Sequence, residues 1–138
     1  MPGDAVYILD ACSVLALLQR ESGSQVVASL LNEPTHRCLI HVIHVCEVYY
    51  DVFRRDGEDD AAAVPDILRE VGIDVVDELQ RDLWESAAKL KAVWRRVSLA
   101  DCFALALALR ERATLVTSDH HEFDAIAEAG ICPIRFIR

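Results

Sequence analysis

Apolar residues in this chain fall in short runs, and the spacing of the runs predicts an alternation of strands and helices. AVYIL (Ala5–Leu9) is a continuous apolar stretch with β-favouring residues, which predicts a buried strand. SVLALLQRESGSQVVASLLNE, beginning at Ser13, predicts two short helices broken near Gly23. RCLIHV predicts a second strand, and HVCEVYYDVFRR a helix that ends before an acidic loop. AVPDILREV predicts a short helix stopped by Gly72, and IDVV a third strand. Leu79, Leu83, Ala87, Leu90 and Trp94 recur at helical spacing, so Asp77 to Arg96 is expected to form an amphipathic helix. Ser98 opens the next helix, TLVTS is a fourth strand, EFDAIAEAG a helix closed by Gly130, and CPIRFI a fifth strand.

Strands alternating with helices imply a parallel sheet covered on both faces. The 138 residues are about the length of one ordinary domain, so residues 1–138 are expected to form a single unit. No run has the length or apolar character of a membrane span or a secretory leader, which leads to the expectation of a cytoplasmic protein. The five cysteines include no Cys-x-x-Cys pair and are odd in number, which argues against a disulfide framework or a structural zinc site. The net charge of −9 speaks against tight binding of duplex DNA, yet leaves room for an acidic centre covered by metal ions.

Four acids stand alone in apolar surroundings. Asp10 is the only charge between Ala5 and Leu18, Glu47 the only formal charge between Cys38 and Tyr50, and Asp101 the only one between Val97 and Leu109. Asp119 follows the uncharged strand that ends at Ser118. Each has a structural explanation of its own. Asp10 and Asp119 could cap the helices that follow them, and Ser98-x-x-Asp101 has the spacing of a capping box. Together they suggest more. Asp10 and Asp119 follow strands directly, and ligands bind at the carboxyl ends of parallel strands. Clustered carboxylates repel each other, and a hard divalent cation with oxygen ligands relieves that repulsion. The chemistry suggested is metal-dependent phosphodiester hydrolysis.

YILDACSVLALLQRESG, HVCEVYYDVFRR, SLADCFALALA and LVTSDHHEF resemble, in order and spacing, the signature blocks of PIN-domain ribonucleases, and within them the VapC-type toxins of toxin–antitoxin pairs. The resemblance implies a three-layer α/β/α sandwich around a parallel sheet of five strands. It implies Asp10, Glu47, Asp101 and Asp119 as the catalytic acids and ligands of Mg²⁺ or Mn²⁺. Ser98 and Thr117 would shape the site behind them. It also implies cleavage of RNA by a metal-activated water, a small antitoxin as partner, and a homodimer. Cys12 stands where the family more often has a small polar residue. Asp124 is a further candidate acid.

Other features carry less. Arg95 and Arg96, close in sequence to Asp101, could hold RNA phosphates, although most such residues are solvated. Cys12, Cys46 and Cys102 read as small core residues. His41, His44, His120 and His121 show no convergent pattern of zinc ligands. An apolar surplus between Val14 and Leu31 could form a groove for a partner helix. Two other functions compete. A phosphatase of the haloacid-dehalogenase kind also ends a strand in Asp, but it needs a second acid where Cys12 stands. A PIN-like module that only binds RNA or protein would not need all four acids.

Overall fold

The computed structural model describes residues 5–138. Five strands form one wholly parallel sheet: β1 (Ala5–Leu9), β2 (His36–His41), β3 (Ile73–Val76), β4 (Thr114–Thr117) and β5 (Ile134–Phe136), in the order β3-β2-β1-β4-β5. Among the described residues eight helices connect and cover them: α1 (Ala11–Leu18), α2 (Ser24–Asn32), α3 (Val42–Asp56), α4 (Glu58–Ala62), α5 (Val64–Glu70), α6 (Arg81–Val93), α7 (Leu99–Glu111) and α8 (His120–Ala129). The expected three-layer α/β/α sandwich is what forms.

Successive strand residues point to opposite faces, and each apolar run therefore feeds two cores. Ile8, Leu39 and Leu115 pack with Leu83, Leu105, Phe123 and Ile126 from α6, α7 and α8. Their neighbours Leu9, Ile40 and Val116 pack with Val14, Val27, Val48 and Leu68 from α1, α2, α3 and α5. This explains why the strands read as continuous apolar runs rather than as an alternation. Seven consecutive residues of α7, Cys102 to Ala108, are buried, so this helix is apolar all round.

Gly23 marks the break between α1 and α2, as expected. Its φ is +95°, and a Cβ there would lie 2.7 Å from the Ile137 carbonyl oxygen. Only glycine satisfies both conditions.

Two expectations are corrected. The acidic segment after α3 is not a loop: after the turn at Gly57 it forms α4, with Glu58, Asp59 and Asp60 in its first turn, where the helix dipole favours negative charge. The helix expected over Asp77 to Arg96 is shorter, Arg81–Val93. Leu79 is 60% exposed, so its place in the periodic pattern does not reflect burial. Beyond Trp94 the chain turns, and the Lys91 ammonium holds that turn by donating to the carbonyls of Arg95 and Val97, both at 2.8 Å. Between Val14 and Leu31 the apolar surplus is partly buried rather than fully covered. Leu15, Leu17, Leu18, Val26, Leu30 and Leu31 pack against the core, and the large exposed apolar residues lie instead on α3 (Tyr49, Tyr50, Phe53), α6 (Trp84, Val93) and α7 (Leu99, Leu109), among others.

Candidate metal centre

The central strands β1 and β4 lie side by side with Leu9 opposite Val116, and both end at the same edge of the sheet. The register brings Asp10 next to Thr117, although 107 residues separate them in sequence. Asp10 caps α1, Ser98 caps α7 and Asp119 caps α8. The N-termini of these helices supply partial positive charge beside the carboxylates gathered there.

Asp10 is 2% exposed. Its Oδ1 accepts from the Ser13 N–H at 2.8 Å, and its Oδ2 from the Thr117 hydroxyl at 2.5 Å. Burial raises its pKa above the ordinary carboxylate value, against the opposing effect of these hydrogen bonds. The Thr117 hydroxyl in turn accepts from the Asp119 N–H at 3.0 Å, so one fully buried side chain links Asp10 to Asp119.

Asp101, Asp119 and Glu122 each place a carboxylate oxygen within 4.8 Å of the other two. The Ser98 hydroxyl caps α7 by accepting from the Asp101 N–H at 3.2 Å. The return half of the expected capping box is missing. Glu122, not Asp101, takes the Ser98 N–H, at 3.1 Å. The Asp101 carboxyl is thereby left to the cluster. Its pKa is pushed up to about 9, by burial first, then by the hydrogen bond to Glu122 and by repulsion from Glu122, Asp10 and Glu47.

Glu47 is 35% exposed and reaches the cluster through His44, which is 1% exposed. The His44 Nδ1 lies 2.9 Å from Glu47 Oε1, and its Nε2 lies 3.6 Å from Asp101 Oδ1. Of the four acids singled out in the sequence, Asp101 and Asp119 meet directly, and Asp10 and Glu47 are linked to them through Thr117 and His44. Glu122 joins them, and sequence reasoning missed it. Its signal was present: Asp119-x-x-Glu122 has the spacing of a capping box, which folds the third helical side chain back towards the cap. The Asp119 Oδ1 does accept from the Glu122 N–H, at 3.0 Å, but the return half is missing here too, since the Asp119 N–H goes to Thr117.

Asp124, the fifth acid expected from the sequence, does not join the group. Two residues beyond Glu122 it lies on another side of α8, exposed and paired with His120 Nδ1 at 2.8 Å. Arg95 and Arg96 are exposed and line a hollow with His121 and Glu122, beside the cluster. Cys102 is buried, as expected, but Cys12 and Cys46 are exposed. The Cys12 thiol is pushed up to about 12 by partial burial and by Asp10, Asp101 and Asp119, so it is a poor nucleophile. His41 serves structure: its Nδ1 accepts from the Ile43 N–H at 3.1 Å to cap α3, and its Nε2 is 3.0 Å from the Glu78 carbonyl oxygen.

The donor set is all oxygen, hard and mutually repulsive. It suits a cation such as Mg²⁺ or Mn²⁺ and gives zinc no soft ligand.

A parallel five-stranded sheet with carboxylates converging at the carboxyl ends of its central strands describes a restricted class of α/β folds. The PIN domain family model matches residues 7–129, and the chain belongs to that family. No curated protein sequence matches it significantly. Among solved structures it is similar to VapBC-1 from nontypeable Haemophilus influenzae, at 20% identity and a TM-score of 0.70, covering 96% of this chain and 98% of that one. It is similar to DNA-bound VapBC from Salmonella typhimurium, at 16% identity and a TM-score of 0.74, covering 97% and 99%. It is also similar to VapC20 from Mycobacterium tuberculosis, described as a sarcin-ricin loop cleaving toxin, at 19% identity and a TM-score of 0.65, covering 79% and 86%. At these identities the likeness is one of fold.

Proposed function

We propose that this chain, acting as a single PIN domain, is a metal-dependent endoribonuclease and the toxin of a toxin–antitoxin pair. The observation that supports the reading is the group Asp101, Asp119 and Glu122 at one sheet edge, with Asp10 linked to it through Thr117, Glu47 through His44, and Asp101 raised to about 9 by burial and by its acidic neighbours. Carboxylates so placed are unfavourable without a cation and serve well with one.

Asp10, Glu47, Asp101 and Asp119 would hold Mg²⁺ or Mn²⁺, with Glu122 as a fifth oxygen donor. A divalent cation held there would supply activation of a water for in-line attack on a phosphodiester and would offset charge on the leaving oxygen. Thr117 orients Asp10, and Ser98 orients Asp101 through the α7 cap. Arg95 and Arg96 hold RNA phosphates beside the cluster, which offsets the net charge of −9. The phosphatase alternative is disfavoured, because Cys12 stands where that class needs a second acid.

The antitoxin reading draws support from the similar folds, several of them toxin–antitoxin complexes, while the homodimer reading rests on the family resemblance alone. The exposed aromatic residues on α3 offer an apolar contact surface for such a partner.

The test is cleavage of labelled RNA by partner-free protein in Mg²⁺, in Mn²⁺ and in EDTA, beside Asp10→Asn and Asp101→Asn. Metal-dependent cleavage lost in both variants is expected. Full activity in either variant rejects the cluster as the catalytic centre. No cleavage of any RNA favours the binding-module alternative.

A further inference from the structure

His44 is the buried side chain that joins three of the acid-bearing elements, and the metal-site reading gives it no part. The Ala11 N–H donates to its Nδ1 at 3.1 Å. A carbonyl oxygen only accepts, so Nε2 carries a hydrogen and donates it to the Ala100 carbonyl oxygen at 3.0 Å. Ala11 follows Asp10 directly, and Ala100 precedes Asp101. One ring therefore spans the backbone beside two of the clustered acids, which are 91 residues apart in sequence. The third acid-bearing element is its own helix: Glu47, one turn further along α3, packs against the Nδ1 edge at 2.9 Å.

Both bonds are made inside the protein, where losing a partner leaves a polar group unpaired. The ring is rigid and aromatic, so it fixes a distance that a flexible side chain would leave loose. Packing secures it further, since His44 is 1% exposed. The Ala11 N–H is also one of the first amides of α1, which lack partners within the helix.

We propose that His44 is a positioning residue that sets the spacing of Asp10, Glu47 and Asp101 around the cation. It rests on the metal-site reading and adds to it a determinant of metal affinity that is not itself a ligand. Residues that orient metal ligands in this way typically change metal affinity by about 10- to 100-fold when replaced.

The experiment titrates Mn²⁺ calorimetrically into the full chain and its variants, with thermal melts alongside. His44→Ala removes both bonds, and its Mn²⁺ affinity is expected to fall by about tenfold or more. His44→Asn keeps an acceptor near the Ala11 N–H, and His44→Gln keeps a donor near the Ala100 carbonyl. Either is expected to recover part of the affinity. Leu68→Ala, in the core beneath α5, serves as a control that lowers Tm without touching the cluster. If His44→Ala binds Mn²⁺ as tightly as Leu68→Ala, His44 only stabilises the fold and the proposal is overturned. If neither polar variant recovers any affinity while melting like the control, the hydrogen-bonded bracket is likewise rejected. If the wild-type chain binds no Mn²⁺, the metal-site reading fails, and this proposal with it.

Discussion

The Ser98 N–H is donated to the carboxylate of Glu122 on α8, not to that of Asp101 three residues along its own helix. Ser98 therefore works in two directions. Its hydroxyl caps α7 at the Asp101 N–H, and its amide draws α8 against the start of α7. Replacing Ser98 by Ala removes the cap and is expected to cost about 0.5–2 kcal/mol of stability. It is also expected to lower RNA cleavage, because the turn that aims Asp101 loosens. Denaturant melts and cleavage rates on the same preparation check both effects.

Glu122→Gln keeps an acceptor for the Ser98 amide but removes a negative charge beside Asp101. Glu122 contributes the largest influence on Asp101 after burial. The Asp101 pKa is therefore expected to fall in this variant, measured by carbon-detected NMR titration of its carboxyl. An unchanged titration would mean that Glu122 has no part and that burial, with Asp10 and Glu47, holds it up.

The two raised carboxyls make stability depend on pH in a definite direction. In the metal-free protein Asp101 is raised from 3.8 to about 9, and Asp10 is raised as well, in both cases mainly by burial. Between these values the folded chain binds more protons than the unfolded chain. The stability that these groups contribute is fully present below about pH 4 and is lost as pH rises towards 9. Melts in EDTA are expected to show Tm falling over the upper part of this range, more steeply than in Asp101→Asn.

Adding Mn²⁺ at pH 7.5 is expected to reverse that loss. Binding to the folded chain alone at 100 times Kd stabilises by about 2.7 kcal/mol. The increase in Tm should shrink in Asp10→Asn and Asp101→Asn. Equal increases in all three proteins would place the binding elsewhere.

Thr117→Val keeps the shape of the side chain but leaves Asp10 Oδ2 and the Asp119 N–H without their shared partner. Leaving a buried polar group unpaired costs about 1–3 kcal/mol. Thr117→Ser restores the hydroxyl and should recover both stability and cleavage.

Arg95→Ala/Arg96→Ala is expected to weaken RNA binding and to flatten its dependence on salt, because fewer phosphates are neutralised. Binding measured at several salt concentrations, with Ca²⁺ in place of Mg²⁺, isolates this effect from cleavage.

Much of the molecule was legible along the chain. The apolar runs at Ala5–Leu9, His36–His41 and Thr114–Thr117 are strands because both of their faces are buried. Asp10 and Asp119 were open to two explanations, helix cap or shared site; both do cap their helices, and Asp119 also lies in the acidic group with Asp101 and Glu122. The spacing Ser98-x-x-Asp101 correctly located the start of α7, but it overstated the reciprocity of the cap. Leu79 misled because a periodic pattern records spacing and not contact. The segment after Gly57 misled because its charge suggested solvation, whereas charge in a first turn also favours a helix.

By itself, then, the sequence determined the alternation of strands and helices and the identity of four isolated acids, since both follow from local spacing and from the cost of burying charge. Only the tertiary structure decided which polar groups share a partner. Parallel pairing of β1 with β4 sets Thr117 against Asp10, the junction of α7 and α8 gives Ser98 to Glu122, and His44 reaches from α3 to the starts of α1 and α7. These contacts join residues far apart along the chain or on different elements, and no local pattern encodes the distance between them.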